Sequence, residues 1–380
     1  MLRRSHTTIL LFGSAFDYSI LGGFRVGELF LLASSVILIR QRSHILFCIG
    51  ALIFLLAYSM WGHFLGYGQN TDRWVFVLKY MVPVFACILG LLTPLDDRFK
   101  KVLIGYTICL SVWVIAYPSL IVQGLITGSF RPSFPSDNYD YSDGHLLSAT
   151  LSTMFIMTLL ISAIGLNKPN FRALLINMIF IVIISAAIVL TGSRNGLVLL
   201  AMLGIYFMFV RASSAQQKSI PKTFFIILSI IFISWFLFHN LNQLSDNFYK
   251  LIARAFNFGF GTDASASGRI VKLAIAINEI ENGSIFGHSP FGAKLLWYDS
   301  GFAILYSHFG IIGLVMLFFL TGFLLLKVFL KRTIMRDQMH FAFFIICICI
   351  SNVITEFFLV SRYSIPIFFC VGVYFRHARI

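Results

Sequence analysis

Two short basic motifs carry the chemistry of an anion grip. Thr191-Gly192-Ser193-Arg194-Asn195-Gly196 is a polar hexapeptide between two strongly apolar runs. Its glycines free the backbone for a tight re-entry, and the amides of a helix starting there would bind an anion beside the Arg194 guanidinium. A two-helix turn with a snorkelled arginine accounts for the same residues. Ser267-Gly268-Arg269, followed one turn later by Lys272, pairs a planar fork suited to phosphate with a mobile point charge. A solvated helix face is the plainer account of that pair.

Acid–base candidates lie further along. Trp297-Tyr298-Asp299-Ser300-Gly301 immediately precedes an apolar run, which holds Asp299 at its edge. A carboxylate there could deprotonate a sugar hydroxyl while the flanking rings stack on the sugar's apolar face. An Asp or Ser helix cap beside an interfacial aromatic belt fits the pattern equally. His308 falls about two turns into that run, and Glu356 and Arg362 flank another break. Ionisable groups at membrane depth are functional candidates by default; a Glu356–Arg362 ion pair and a histidine satisfied by a neighbouring helix are the structural alternatives. Arg131, with Asp137, Asp140, Asp143 and His145, could bind acceptor-sugar hydroxyls or a cation, although the Asp-x-x-Asp-x-x-Asp spacing is not that of a calcium loop.

Several chemistries drop out. There is no phosphate-binding loop, paired zinc ligands, dinucleotide fingerprint or Gly-x-Ser-x-Gly elbow, and no Asp-x-Asp pair of the kind that holds a metal-bound nucleotide sugar. No cofactor and no metal is expected. Energy for any transfer must arrive in the substrate, and a lipid-linked diphosphate fits, with Arg and Lys neutralising the leaving group.

The elements that must position these groups follow from hydropathy. Of 380 residues 58% are hydrophobic and 12% charged, and the mean hydropathy is +0.88. So little polar surface cannot cover a water-soluble globule, so lipid is the expected solvent. Apolar runs predict about twelve spans, near 6–21, 25–39, 44–65, 74–92, 102–120, 145–166, 171–191, 196–210, 222–238, 301–326, 341–359 and 363–375. The expected fold is an all-α polytopic integral membrane protein, one membrane domain over 1–380. No small-residue cleavage site follows the first run, so the amino terminus is expected to be retained.

With that terminus inside, Arg40/Arg42, Arg98/Lys100/Lys101, Lys168/Arg172, Arg211/Lys218/Lys222, Lys331/Arg332/Arg336 and Arg376/Arg379 share one side, which is cytoplasmic by the positive-inside rule. Both termini are then cytoplasmic. The net charge of +14 reports topology, and nucleic acid is not an expected partner. Arg25, Arg73, Arg131, Arg194 and Arg362 are the exceptions in or beside outward-facing breaks, and several together suggest an anionic ligand. Two outward segments are long enough to carry a site, 121–144 and 239–300. In the latter, Asp246 to Phe258 and Arg269 to Ile280 show helical apolar spacing, the second through Ile270, Leu273, Ile277 and Ile280. The six cysteines, Cys48, Cys87, Cys109, Cys347, Cys349 and Cys370, lie in apolar runs as packing residues.

Thr-Gly-Ser-Arg-Asn-Gly (191–196) opening an apolar helix, then Ser-Gly-Arg (267–269), Ile-Phe-Gly-His-Ser (285–289) and Asp-Ser-Gly (299–301) before Phe-Gly-Ile-Ile-Gly (309–313), resembles the bacterial O-antigen polymerase and O-antigen ligase superfamily across roughly 120–315. The resemblance implies a metal-independent transferase acting on undecaprenyl-diphosphate-linked oligosaccharide in the periplasmic leaflet of a Gram-negative inner membrane. Arg194 and Arg269 match the family's diphosphate-binding arginines, with Lys272 and Arg362 as further candidates. In the ligase branch a His followed by a small polar residue typically precedes the tenth span, where this chain has Asp299-Ser300, a departure that favours the polymerase. Membrane lipids and a chain-length regulator protein are the other expected partners. A ligase acting on the lipid A core, or a transporter or flippase, are the rival readings.

Overall fold

A computed structural model describes residues 2–14, 19–21, 24–35, 42–64, 78–116, 150–158, 181–185, 187–188, 194–212, 271–272, 274–275, 277–278, 286–289, 300–329, 336–354 and 361–377. These are almost entirely helical, with one two-stranded ribbon. By its contacts the chain divides into two units, one of 1–102, 135–138 and 259–380, the other of 103–134 and 139–258.

In the first unit the chain opens with α1 (Leu2–Ser14), which ends where Ser14 Oγ bonds back to Leu11 O at 2.8 Å. The apolar run had predicted helix through 21. Instead β1 (Ser19–Leu21) pairs antiparallel with β2 (Phe24–Arg25), Leu21 opposite Phe24. Gly22-Gly23 stands between them in sequence, the two-residue glycine link that tight hairpins select and helices disfavour. There follow α2 (Val26–Ser35), α3 (Arg42–Phe64) and α4 (Met81–Leu92). Pro83 lies in the first turn of α4, where its missing N–H costs no helical bond. The helix closes on Thr93, whose N–H bonds Gly90 O at 2.9 Å and whose hydroxyl bonds Leu89 O at 2.9 Å. Asp96 then caps α5 (Asp97–Ala116), its Oδ1 accepting from the Phe99 N–H at 2.7 Å.

The unit is completed by α7 (Gly301–Phe329), α8 (Arg336–Ile354) and α9 (Ser361–His377), α6 belonging to the second unit. Helix α9 packs on α4, α1 and α2, and α7 packs on α8. Small residues make the α4–α9 contact backbone to backbone. A Cβ at Gly90 would stand 2.1 Å from Phe369 O, and one at Gly372 would stand 2.0 Å from Cys87 O. Where lipid is the solvent, such close approach rather than hydrophobic exclusion drives helix association.

The second unit contains α6 (Arg194–Ala212), the helical residues 150–158 and 181–188 at their described positions, and 103–116 of α5. Thr107 and Thr158 hydroxyls meet at 3.0 Å, and each is also bonded to its own i−4 carbonyl, Leu103 O and Met154 O, at 2.9 and 2.7 Å. The buried polar atoms of that contact are thereby satisfied.

The described helices fall where the apolar runs are, although the run 222–238 lies outside the described residues. Among the described residues one helix is long and apolar enough to cross a membrane, Gly301–Phe323, 23 residues with mean hydropathy 2.2. An unbroken helix of that length would span about 35 Å, against a hydrocarbon core of about 30 Å, but this one is interrupted at Gly310. Ile49–Met60, Met81–Leu92, Asn195–Tyr206 and Gln338–Asn352 are shorter apolar helices. Of the cysteines, Cys347 and Cys370 are buried as expected, but Cys109 is exposed on α5.

Candidate functional site

Helix α7 begins as the sequence around Asp299-Ser300 led one to expect of a cap. The Ala303 N–H reaches Ser300 Oγ at 3.4 Å, and the Ile304 N–H bonds Ser300 O at 3.0 Å. Gly301 follows because Asn352 of α8 occupies the space beside it, 1.6 Å from where a Cβ would be. Nine residues on, the helix breaks at Gly310, with φ 61° and ψ −152°, a backbone region that only glycine adopts readily.

The segment Phe286–Ser289 is docked into this break. Gly287 has φ 72°, and a Cβ there would lie 2.4 Å from Gly310 N and 2.9 Å from Phe309 N. Two glycines of positive φ thus let two stretches of main chain touch. The His288 N–H donates to Ser307 O at 2.8 Å. From α3, the Tyr58 hydroxyl donates to Phe286 O and faces Phe309 O at 3.2 Å, so one proton serves carbonyls on both sides of the junction. Main-chain groups at an interrupted apolar helix need such outside partners wherever water is excluded.

Beneath the junction lies His308, fully buried, with Nδ1 2.7 Å from the Tyr80 hydroxyl. Either ring tautomer is compatible with that bond. Tyr80 stands edge-on to both His308 and Phe309, centroids 6.0 and 4.9 Å apart. It belongs to an apolar cluster with Ala303, Ile304, Leu305 and Phe309, against which Leu55, Tyr58 and Ile275 pack. The expected helix over Arg269 to Ile280 is present at its described positions, but its face differs from the one predicted. Ile277 is exposed and Ile275 packs on the cluster. The predicted face runs through Ile270, Leu273, Ile277 and Ile280, of which only Ile277 is described, and Ile275, outside that set, is the one that meets the Tyr80 cluster.

One residue before Tyr80, Lys79 lies 4.0 Å from Glu28 of α2, and both are buried. Neither was singled out from the sequence, although a signal existed: each is an ionisable residue inside an apolar run. Tyr58 and Tyr80 carried no such signal, since tyrosine in an apolar run reads as packing.

In the second unit Arg194 is the first residue of α6 and Asn195 the second. The Asn195 side chain is buried, at 6% exposure, and among the described residues neither its Nδ2 nor its Oδ1 has a hydrogen-bond partner. Of the remaining candidates, Lys272 is partly exposed on its helix and Arg362 is the second residue of α9. Arg131, Asp143, His145, Arg269, Asp299 and Glu356 lie outside the described residues. No family model and no curated protein matches the sequence.

Proposed function

We propose that this chain is a membrane-embedded, metal-independent glycosyltransferase of the O-antigen polymerase type, joining undecaprenyl-diphosphate-linked repeat units at the periplasmic leaflet. The observation that carries the reading is the docking of Phe286–Ser289 on the break at Gly310. It joins two of the five motifs on which the family resemblance rests, 285–289 and 309–313. A membrane setting is supported by the far half of α7, where Val315, Met316, Phe318, Phe319, Phe323 and Leu326 are all exposed, Phe319 at 73%. Such a face needs a hydrophobic cover.

In this reading the acceptor hydroxyl of the incoming unit attacks the anomeric carbon of the growing glycan. The new glycosidic C–O bond forms as the anomeric C–O bond to phosphate breaks, and the electron pair leaves on the lipid diphosphate. Arg194 and Arg269, aided by Lys272 and Arg362, stabilise the departing charge in place of a metal. The hydroxyl proton passes to Asp299 or His308. Asp299 is the first choice, because His308 is fully buried and would reach a substrate only if the segment over it moved. Arg131, Asp143 and His145 belong to the stretch that would contact the acceptor sugar.

Replacing Arg194 or Arg269 by Ala in a host that makes long-chain lipopolysaccharide is expected to leave only single-unit products on a gel ladder. A normal ladder from both variants rejects the assignment. Full-length polymer left on the lipid carrier in a deletion strain identifies a ligase instead.

A further inference from the structure

The most anomalous polar group in the second unit is Asn195. Buried side-chain amides are almost always hydrogen-bonded, and the exceptions call for a ligand, a water or an ion. In that unit the buried hydroxyls of Thr107, Ser111 and Thr158 follow it, each bonding an i−4 carbonyl. Among the described residues the buried serines Ser59, Ser351 and Ser364 also lack partners, but they lie inside helices or their first turn, where a χ1 rotation can reach a local main-chain acceptor. For Asn195 both ends of the amide are unmatched among the described residues, and one local donor or acceptor would answer only one of them. Asparagine is also a weaker helix former than leucine, so the position is costly in the free protein on two counts.

We propose that the Asn195 side chain is a ligand-binding group that takes a sugar hydroxyl of the lipid-linked glycan, one position along from the arginine assigned to the diphosphate. This rests on the transferase reading above. The chemistry selects the ligand class. A phosphate oxygen only accepts, and would satisfy Nδ2 alone; a cation would satisfy Oδ1 alone. A hydroxyl both donates and accepts, and so answers both ends of the amide. The first turn of α6, a helix of 19 residues, leaves N–H groups without helical acceptors beside it. An anion and an adjoining sugar would therefore be met by neighbouring residues of different chemistry, Arg194 and Asn195.

The test uses the purified full chain with two probes: undecaprenyl diphosphate bearing one repeat unit, and bare undecaprenyl diphosphate. Wild-type protein is expected to bind the glycan-bearing lipid about 10-fold more tightly, roughly the worth of one or two neutral hydrogen bonds. Asn195→Leu should erase that preference, keep the affinity for the bare lipid, and unfold without ligand at or above the wild-type temperature. Asn195→Ala, which removes both polar atoms without added bulk, should erase the preference in the same way. Retention of the 10-fold preference by both variants overturns the proposal. So does unfolding of both variants well below wild type without ligand, which would mean that the amide is satisfied within the protein. Wild-type protein that binds neither lipid rejects the transferase reading itself, and this assignment falls with it.

Discussion

Two buried polar pairs differ in how much depends on them. The Glu28–Lys79 pair places opposite charges 4.0 Å apart out of water, and removing one partner leaves the other charge uncompensated. Glu28→Leu or Lys79→Leu alone is expected to cost about 3–5 kcal/mol, and the double replacement much less, because apolar residues fill such a site without desolvating charge. Thermal unfolding of the three variants in detergent checks this; a loss for the double variant equal to the sum of the two single losses would show the charges acting independently. Tyr80 and His308 form the second pair. Tyr80→Phe preserves the ring packing but leaves Nδ1 of a fully buried imidazole without its tyrosine partner. The expected loss is about 1–3 kcal/mol, read as a lower unfolding temperature, while Tyr80→Leu should lose more because the edge-on ring contacts go as well. Arg194, Lys272 and His308 were legible as residues; that His308 would be held by Tyr80, 228 positions away, was not.

Glycine does different work in different elements. At Gly90, Gly372, Gly287 and Gly310 the structure leaves no room for a side chain or requires a positive φ, whereas Gly50, Gly105 and Gly322 have nothing within 4 Å of an added Cβ. Alanine at the first set is expected to destabilise and, on the proposed polymerase function, at Gly287 or Gly310 to abolish polymer formation by prising Phe286–Ser289 from the helix break. Alanine at Gly105 or Gly322 should be neutral or stabilising by up to about 1 kcal/mol, the ordinary gain in a helix. Unfolding temperatures and ladder length measured across the series separate the two groups; a uniform response would mean that close approach is irrelevant. The positions of most helices could be read from apolar runs, and the Ser300 cap from the turn before one of them. The hairpin at Ser19–Arg25 could not, since its short strands lie within an apolar run that continues the hydropathy of α1.

For the whole molecule, the exposed apolar face of α7 is the feature on which the proposed membrane setting rests. Phe319→Lys places a charge on that face and is expected to reduce the amount of protein recovered in membranes, by about 2–4 kcal/mol of insertion energy if the residue lies near the bilayer centre. Lysine at the exposed, polar-flanked position of Asp97 should have no such effect. Quantifying both variants in membrane fractions checks it, and equal recovery would mean that α7 does not face lipid.

The sequence by itself determined a helical, strongly apolar chain and the residues proposed to hold a diphosphate, because hydropathy and charge are local properties that survive without knowing what a residue touches. Only the tertiary structure decided that Gly287 meets Gly310, that Tyr58 bridges two carbonyls, that Ile275 rather than Ile277 faces the cluster, and that Asn195 is buried without a partner. Those facts depend on contacts between residues far apart in the chain or on the enclosure of a side chain by its neighbours. A periodic pattern narrows such choices, but packing and main-chain hydrogen bonding select among them.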